Sequence, residues 1–213
     1  MKIKKIESRA AGRPKTTQKN HQILNAAGKL FCQHGLQNVS MDWISHEAGV
    51  SKQTIYSHFQ NKETLFAAVI TSKVHSYQIE NVDEIPLHSL QDCLLELGNR
   101  VTDLIMDPQA MQIARVVIAE SVHYPAISQL FFENGPQRAQ NFVTSNIKRL
   151  VHQHRIAEPD PETLAQTFVA MLKGEWYTRL LMNVGKPPST RQRRQHVKHC
   201  VSLVLKLIQT KNS

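Results

Sequence analysis

The sequence predicts an all-α protein, with a three-helix helix-turn-helix domain at its N-terminus and a larger helical domain behind it. Apolar residues recur at spacings of three and four in long segments, whereas no segment after Pro86 alternates as a strand does. At 213 residues, the chain can form one small and one larger domain. Prolines also fall near predicted helix starts, where they are tolerated: Pro108, Pro125, Pro136, Pro161 and Pro188.

Residues 1–15 are predicted to form a basic, flexible arm. They contain six lysines and arginines and almost no apolar periodicity. Pro14 biases Arg13 toward an extended backbone, which would suit insertion of its side chain into a narrow DNA minor groove. The alternative is a disordered tail that only adds positive charge.

Residues 16–62 are predicted to form the helix-turn-helix domain. Its first helix should start near Thr16 or Thr17 and end at Gly35. Cys32 lies beside the apolar face of this helix and is predicted to be inert. The apolar residues fall at i, i+3, i+4, i+7 and i+8, which gives one stripe for packing: Ile23, Ala26, Ala27, Leu30 and Phe31.

The stretch from Ser40 to Phe59 has the pattern of two short helices joined by a tight turn. Ser40 and Ser51 are good N-cap residues, and Gly49 can adopt the left-handed conformation that ends the first helix. The second helix should span residues 52–58. This arrangement places a second helix in the DNA major groove.

One face of the second helix is polar and carries no acid. Helical spacing puts Lys52, Gln53, Tyr56 and Ser57 on this face, and it turns Ile55 toward the core. Lysine can contact guanine, glutamine can contact adenine, and hydroxyl groups reach phosphates or base edges. The alternative interpretation is a solvated helix in a small bundle, since helix-turn-helix patterns have false positives.

Asn61 is predicted to cap a fourth helix, which connects the helix-turn-helix to the rest of the chain. Lys62 then lies in the first turn of that helix, where the helix dipole disfavours a cation. This position predicts that the partner of Lys62 is an anion outside the chain.

The positive charge is concentrated where the helix-turn-helix lies. The formal net charge is +9, and residues 1–65 hold ten Lys and Arg against four Asp and Glu. The remaining residues hold sixteen Lys and Arg against thirteen Asp and Glu. This coincidence favours double-stranded DNA as the partner.

The cysteine pattern and the hydropathy predict a cytoplasmic protein that does not enter a membrane. The chain has three cysteines, which are far apart and form no disulfide framework. No apolar segment follows the basic start, as a signal peptide would require. No apolar run approaches the roughly 20 residues that a membrane span needs.

These residues resemble the TetR/AcrR family of bacterial transcriptional regulators over roughly residues 20–70. Five short matches at fixed offsets carry the resemblance: Ala48-Gly-Val-Ser51, Thr54-Ile-Tyr56, His58-Phe59, Asn61-Lys-Glu63 and Leu65-Phe66. Ser45 departs from the alanine usual in the family but is small enough to pack. The resemblance implies phosphate contacts by Thr54, Tyr56 and Lys62. The complete predicted DNA-binding set is Arg13, Ser51, Lys52, Gln53, Thr54, Tyr56, Ser57, His58 and Lys62.

Residues 63–213 are predicted to form the ligand-binding and dimerisation domain. Its helices should lie near 88–106, 108–121, 124–133, 136–155, 160–183 and 188–210. Residues 114–136, Asp160-Pro161 and 172–181 resemble the AefR-like C-terminal domain of the same family. This resemblance implies a homodimer through the helices near 160–183 and 188–210, so the operator should be palindromic.

The family resemblance also implies a cavity for a small-molecule inducer among the middle helices. Arg115 is the most informative candidate, because a cation among Val, Ile and Ala needs a partner. That partner could be Glu120, Glu175 or an anionic ligand. For each candidate the alternative is plain core packing. The candidates are Tyr77, Met111, Arg115, Phe131, Phe142 and Trp176.

The sequence predicts no enzyme, no cofactor and no metal site. His196, His199 and Cys200 could place three ligands on one helix face, but the surrounding helix is very basic and disfavours a metal cation. No Gly-rich phosphate loop, nucleophile elbow or paired-carboxylate signature is present.

The predicted function is therefore that of a ligand-responsive, DNA-binding transcriptional regulator. We expect a repressor that binds its operator as a dimer and is released by a small-molecule inducer. The alternative is a helix-turn-helix protein that acts through protein partners, in a nucleoid-associated or interaction role, with no small ligand.

Overall fold

The computed structural model describes residues 13–79, 89–156 and 160–209, and all regular secondary structure in these ranges is helical. This confirms the all-α prediction, and the helix ends agree with the predicted ones to within a few residues. In the same ranges, no helix combines the length and the apolar character needed to cross a bilayer. The helices are α1 (Arg13–Asn38), α2 (Met41–Glu47), α3 (Lys52–His58), α4 (Lys62–Ser76), α5 (Leu90–Ile105), α6 (Pro108–Glu120), α7 (Pro125–Asn134), α8 (Pro136–Gln153), α9 (Pro161–Leu181) and α10 (Thr190–Gln209).

The first helix begins earlier than predicted. α1 starts at Arg13, so residues 13–15 are helical and not part of an extended arm. Proline suits the first turn of a helix, because the amide that it lacks has no helical partner there. Pro14 therefore begins the helix, where we expected it to hold Arg13 extended. The rest of the predicted arm, residues 1–12, lies outside the described residues, and a minor-groove contact of Arg13 stays a prediction.

The predicted ends of the two short helices are confirmed. Ser40 Oγ accepts a hydrogen bond from the amide of Trp43 at 3.1 Å, and Ser51 Oγ accepts one from the amide of Thr54 at 3.1 Å. Gly49 has a φ of +65°, in the left-handed region. The two serines satisfy amides that a helix start leaves unpaired, so they fix where α2 and α3 begin.

The apolar stripe of α1 packs into a first core with the helix-turn-helix. Phe31 is 1% exposed and meets Phe66 of α4 edge to face, with ring centroids 5.6 Å apart. Ile44 of α2 and Ile55 of α3 are fully buried beside them. A small three-helix domain buries little apolar surface on its own, and α6 and α7 add to it. Their contributions to this core are Ile113, Val117 and Ile127.

A second core lies among α5, α8, α9 and α10. α4 connects the two cores, since its Val69 packs in the first and its Val74 in the second. Gly98 lets α5 lie close to α10, because a Cβ there would be 2.7 Å from Val197 Cγ1. The residues of the second core that are fully buried include Leu94, Leu97, Val101, Val143, Phe168, Leu172, Val197 and Val204.

α9 breaks at Gly174, within a segment that was predicted as one continuous helix. This residue has a φ of +50° and a ψ of −163°, a conformation that favours glycine. His196 of α10 lies against the break, and its Nε2 donates to the carbonyl oxygens of Met171 at 3.0 Å and Leu172 at 3.2 Å. The histidine therefore ties α10 to α9 at the point where α9 changes direction.

Candidate functional site

The short helix α3 presents a polar face to solvent. Lys52, Gln53 and Ser57 are exposed, and Tyr56 is 51% exposed. Ile55, on the opposite side, is completely buried and holds the helix on the first core. A tyrosine that combines an uncovered ring with a hydroxyl can contact the sugar–phosphate backbone. The structure thus brings these predicted residues to one surface.

Three of the predicted DNA-binding residues, Ser51, Thr54 and Ser57, already have hydrogen bonds within α3 and its N-cap. The hydroxyl oxygens of Ser51 and Thr54 are 2.9 Å apart, and Ser57 Oγ donates to the carbonyl of Thr54 at 2.7 Å. Thr54 and His58 are half-buried. A phosphate would compete with these internal bonds for the hydroxyl protons, so these residues are less available than Tyr56.

An acid that the sequence analysis did not consider lies beside the polar face. Asp42 of α2 accepts a hydrogen bond from Lys52 Nζ. This bond raises the pKa of Lys52, so its ammonium group stays charged at neutral pH. Both side chains are exposed, and such ion pairs contribute little to stability. A DNA phosphate would therefore compete with Asp42 for Lys52.

Lys62 has a contact within the chain that the sequence did not predict, and its contact with an external anion stays a prediction. Asn61 caps α4 as expected, and Lys62 Nζ donates to the carbonyl oxygen of Gln37 at 3.2 Å. Gln37 lies just after Gly35, where the backbone of α1 leaves the helical conformation, so its carbonyl is open to a donor from outside the helix. Lys62 and Tyr56 also line one shallow depression with residues 37–42. A phosphate in this depression would meet both side chains.

We expect Lys62→Ala to weaken binding to all DNA sequences by a similar factor. Loss of one phosphate contact should also reduce the slope of log affinity against log salt by about 1. Fluorescence anisotropy with two unrelated duplexes across a salt series measures both quantities. Lys186→Ala, in the exposed loop after α9, is the matched control and should leave the slope unchanged. A loss confined to one duplex would contradict the assignment.

The second domain contains a cavity of about 220 Å³. Its wall comes from α4, α5, α6, α7, α8 and α9 and is mostly apolar. The titratable side chains in the wall are Lys73, Lys173 and Tyr177, and none of the described residues that line it is Asp or Glu. The wall also includes the amide side chains of Gln137 and Gln140.

Two of the six predicted ligand-binding residues line this cavity, namely Met111 and Phe131. Phe142 is 4% exposed and packs in the second core instead. The ring of Trp176 lies against His196, with centroids 5.3 Å apart, and does not line the cavity. These two predicted residues therefore lie in the second domain but not on the wall of this cavity.

Tyr77 belongs to a hydrogen-bonded cluster around Asp107 and does not line the cavity. Its hydroxyl donates to Asp107 Oδ2 at 2.8 Å, and the amide of Ala110 donates to Asp107 Oδ1 at 2.8 Å. Lys73 Nζ lies 3.4 Å from the same carboxylate. Burial and the bond to Asp107 raise the pKa of Tyr77, so it remains a donor. The cluster joins the end of α4 to the start of α6.

The structure corrects two of the three predicted partners of Arg115, the two glutamates, and the third, an anionic ligand, stays a prediction. Arg115 Nη1 donates to the carbonyl oxygen of Leu180 at 2.7 Å, and neither Glu120 nor Glu175 pairs with it. The last carbonyls of a helix have no partner within that helix, so they attract a cation. Arg115 of α6 thus caps the end of α9.

α6 contacts both the cavity and the helix-turn-helix domain. On one side its Met111 lines the cavity. On the other side Gln112 Nε2 donates to the carbonyl of Cys32 at 3.1 Å, and Glu120 Oε1 accepts from the amide of Leu36 at 3.1 Å. A displacement of α6 by a molecule in the cavity would therefore act directly on α1.

The cysteines are buried, and burial raises the pKa of Cys32 to about 11 and raises that of Cys200. The thiols of Cys32 and Cys200 stay protonated at neutral pH, which supports the prediction that Cys32 is inert. In the part of the chain that the structure describes, no three His, Cys, Asp or Glu side chains form a metal-binding group. His196 Nε2, one of the candidate ligands, donates to main-chain carbonyls instead.

The sequence analysis missed Lys173 and Tyr177 as residues of the cavity wall. Lys173 Nζ lies 5.4 Å from the centroid of the Tyr177 ring. The signal that could have identified them is a cation and an aromatic residue four positions apart. The buried Val169 lies four positions before the cation, on the same side of the helix.

Two family profiles match the chain. The profile of the bacterial regulatory proteins of the tetR family matches residues 23–69. The profile of the C-terminal domain of AefR-like transcriptional repressors matches residues 92–207, which is more than half of the chain. The two matches correspond to the helix-turn-helix domain and to the domain that contains the cavity.

Known proteins of similar sequence or structure are regulators and not enzymes, as predicted. The chain is 21% identical over 160 residues to the HTH-type transcriptional regulator SrpR of Pseudomonas putida, covering 75% of this chain and 74% of SrpR. A TetR-family transcriptional regulator from Mesorhizobium loti superimposes with a TM-score of 0.75 and 26% identity, covering 91% of this chain and 98% of that one. The flavonoid-responsive regulator FrrA gives a TM-score of 0.68 and 25% identity, over 89% and 96% of the two chains.

Proposed function

The chain belongs to the TetR family of bacterial transcriptional regulators, and we propose that it is a dimeric repressor released from DNA by a small molecule. Membership makes it a DNA-binding regulator of transcription. The proposal adds four points to this. The protein represses transcription, it acts as a dimer, it responds to a small-molecule ligand, and it acts in the cytoplasm. The observation that supports the proposal most is the position of α6. This one helix lines the cavity and also bonds to α1 through Glu120.

In this proposal α3 enters the DNA major groove. Lys52 and Gln53 lie at the start of the helix, the part that contacts base edges in helix-turn-helix proteins. Tyr56 and Lys62 contact phosphates, which position the helix but carry no sequence information. A symmetric dimer presents two such helices to half-sites about 34–36 Å apart, so the operator is palindromic.

Gln53→Ala should change the preference among DNA sequences and leave general affinity nearly intact. A bidentate glutamine–adenine contact discriminates against the wrong base by about 1–3 kcal/mol, so the preferred base at one position of each half-site should become less distinct. Selection of bound duplexes from a randomised pool, done for wild type and for the variant, measures the base preference at each position of the half-site. Lys62→Ala is the comparison, since it should weaken binding without changing the order of sites. An unchanged order in the Gln53 variant would contradict the base contact.

The proposed dimer forms through α9 and α10. One side of these helices packs on α5 and α8, whereas the other side is exposed and includes Gln166 and Ala170 of α9 and Ser202 of α10. Leu207 of α10 is also 48% exposed. The small side chains of Ala170 and Ser202 would let the helices of two subunits approach closely, as in a four-helix bundle.

A ligand in the cavity would favour a conformation in which the two recognition helices no longer match successive major grooves. The route runs from the cavity through α6 to α1. By linkage, DNA must weaken ligand binding by the same factor as the ligand weakens DNA binding. A hundredfold release corresponds to a coupling free energy of about 2.8 kcal/mol.

A gel shift with the DNA directly upstream of the protein's own gene, across a salt series, tests the proposal. We expect tight binding at a palindrome, with a stoichiometry of two chains per site when light scattering gives the mass of the complex. Weak binding with no sequence preference would contradict the repressor proposal and favour a role through protein partners.

A further inference from the structure

We propose that the cavity binds a compact, apolar molecule with one anionic group, and that Lys173 is the residue that selects the anion. This inference rests on the proposed ligand-binding role of the cavity and specifies the chemical class of the ligand. The support comes from the volume of the cavity, the charges in its wall and the two residues of the wall that carry donors, Lys173 and Tyr177.

The size and the wall of the cavity favour a small ring system. Its volume of about 220 Å³ lies below the range of roughly 300–1,000 Å³ that is typical of sites for drug-sized ligands. Most of the wall is apolar and includes Phe131, Phe132 and Met111. A molecule of one or two rings would bury most of its surface there, since burial of apolar area is the main favourable contribution.

The charge in the wall is positive and only partly compensated. Lys73 has a counter-ion, because its Nζ lies 3.4 Å from Asp107. Lys173 has no acidic partner among the described residues, and its ammonium group lies 5.4 Å from the centroid of the Tyr177 ring. Lys173 is half-buried, and a ligand in the cavity that covers its ammonium group makes the charge costly unless the ligand pairs with it. An anionic group on the ligand would supply that pair as a charge-assisted hydrogen bond.

Tyr177 provides a second donor next to Lys173. Its hydroxyl makes no hydrogen bond to another described residue, and burial raises the pKa of Tyr177, so the group stays protonated at neutral pH. A carboxylate has two oxygens and can accept from both side chains at once. A cationic ligand would instead be repelled by Lys173, and a neutral one would leave its charge unpaired.

Isothermal titration calorimetry with two ligands of nearly equal shape tests the inference. The probes are 2-naphthoate, which is anionic, and 2-naphthalenemethanol, which is neutral, each titrated into the full-length protein. Wild type should bind naphthoate at least tenfold more tightly than the alcohol. Lys173→Met should bind the two ligands equally, with the affinity for the alcohol retained. Lys186→Met, which changes an exposed lysine in the loop after α9, should behave as wild type.

Lys173→Arg keeps the charge and should keep a preference for naphthoate, which separates the loss of the cation from a loss of folding. Equal affinities in wild type would overturn the inference. So would a preference that survives in Lys173→Met, or the absence of binding by both ligands.

Gel shifts with the same ligands distinguish this inference from the repressor proposal. If naphthoate binds through Lys173 but never alters DNA binding, the ligand class stands and the release mechanism fails. If the protein binds its operator as a dimer but shows no preference for the anion, the ligand class fails and the DNA-binding proposal stands.

Discussion

Gly35→Ala is expected to lower the free energy of unfolding by about 2–4 kcal/mol. Gly35 has a φ of +78°, which an alanine adopts only with strain. An added Cβ would also overlap Glu120 Oε1. The carboxylate must then move and lose its hydrogen bond to the amide of Leu36. DNA affinity should fall as well, because this bond places the end of α1, from which α2 and α3 follow.

Gly49→Ala is the matched control for this prediction. Gly49 has a φ of +65°, but no atom lies within 4 Å of the position that a Cβ would occupy. Its substitution should therefore show the backbone strain alone, about 1–2 kcal/mol. Urea denaturation of both variants gives the two free energies. Equal losses would mean that the contact between Gly35 and Glu120 adds nothing to stability.

Phe168→Ala should have the largest effect on the second core, a loss of about 3–5 kcal/mol. The ring is completely buried, and its Cζ lies 3.1 Å from the position that a Cβ on Gly98 would occupy. Such close packing leaves a cavity when the ring is removed, since the neighbouring helices can relax only in part. If the dimer forms through α9, the variant should also dissociate at a higher protein concentration than wild type.

Phe132→Ala is the control for the aromatic substitution. Phe132 is 52% exposed, so its removal should change stability by about 0.5 kcal/mol or less. Thermal and urea denaturation of the two variants would separate the loss of buried packing from any general effect of a missing ring. A small effect at Phe168 would show that the helices of the second core close over the vacated space.

The sequence predicted the features that depend on neighbours in the chain. The N-caps at Ser40, Ser51 and Asn61 follow from short-range geometry, because each side chain bonds to an amide three residues later. The apolar stripe of α1 follows from helical periodicity in the same way, and its members Ile23 and Phe31 are buried. These signals are contained in segments of fewer than about 20 residues, so no tertiary information is required.

The partners of isolated cations were not predictable in this way. Lys62 bonds to Gln37, which is 25 positions away, and Arg115 bonds to Leu180, which is 65 positions away. In both cases the acceptor is a main-chain carbonyl near a helix end. Every residue carries such a carbonyl, so composition and spacing give no sign of which one is used. Only the packing of the helices selects it.

The break at Gly174 separates Trp176 from the cavity wall on α9. Helical spacing describes one continuous helix and gives no sign of such a break. The φ of +50° at Gly174 changes the direction of the chain. Lys173 and Tyr177 line the cavity on either side of it, while the Trp176 ring lies against His196. A glycine inside a helical pattern can mark such a change of face.

The first core, which α6 and α7 share with the helix-turn-helix, has a consequence for chimaeric regulators. An exchange of DNA-binding domains that joins the chains after residue 62 would place Ile113, Val117 and Ile127 against a foreign surface. It would also separate Glu120 from the amide of Leu36. In a hybrid that keeps its response to an inducer, α6 and α7 must therefore fit the α1 of the transferred DNA-binding domain. The segments that have to be exchanged together are those in contact, and they are not continuous in the chain.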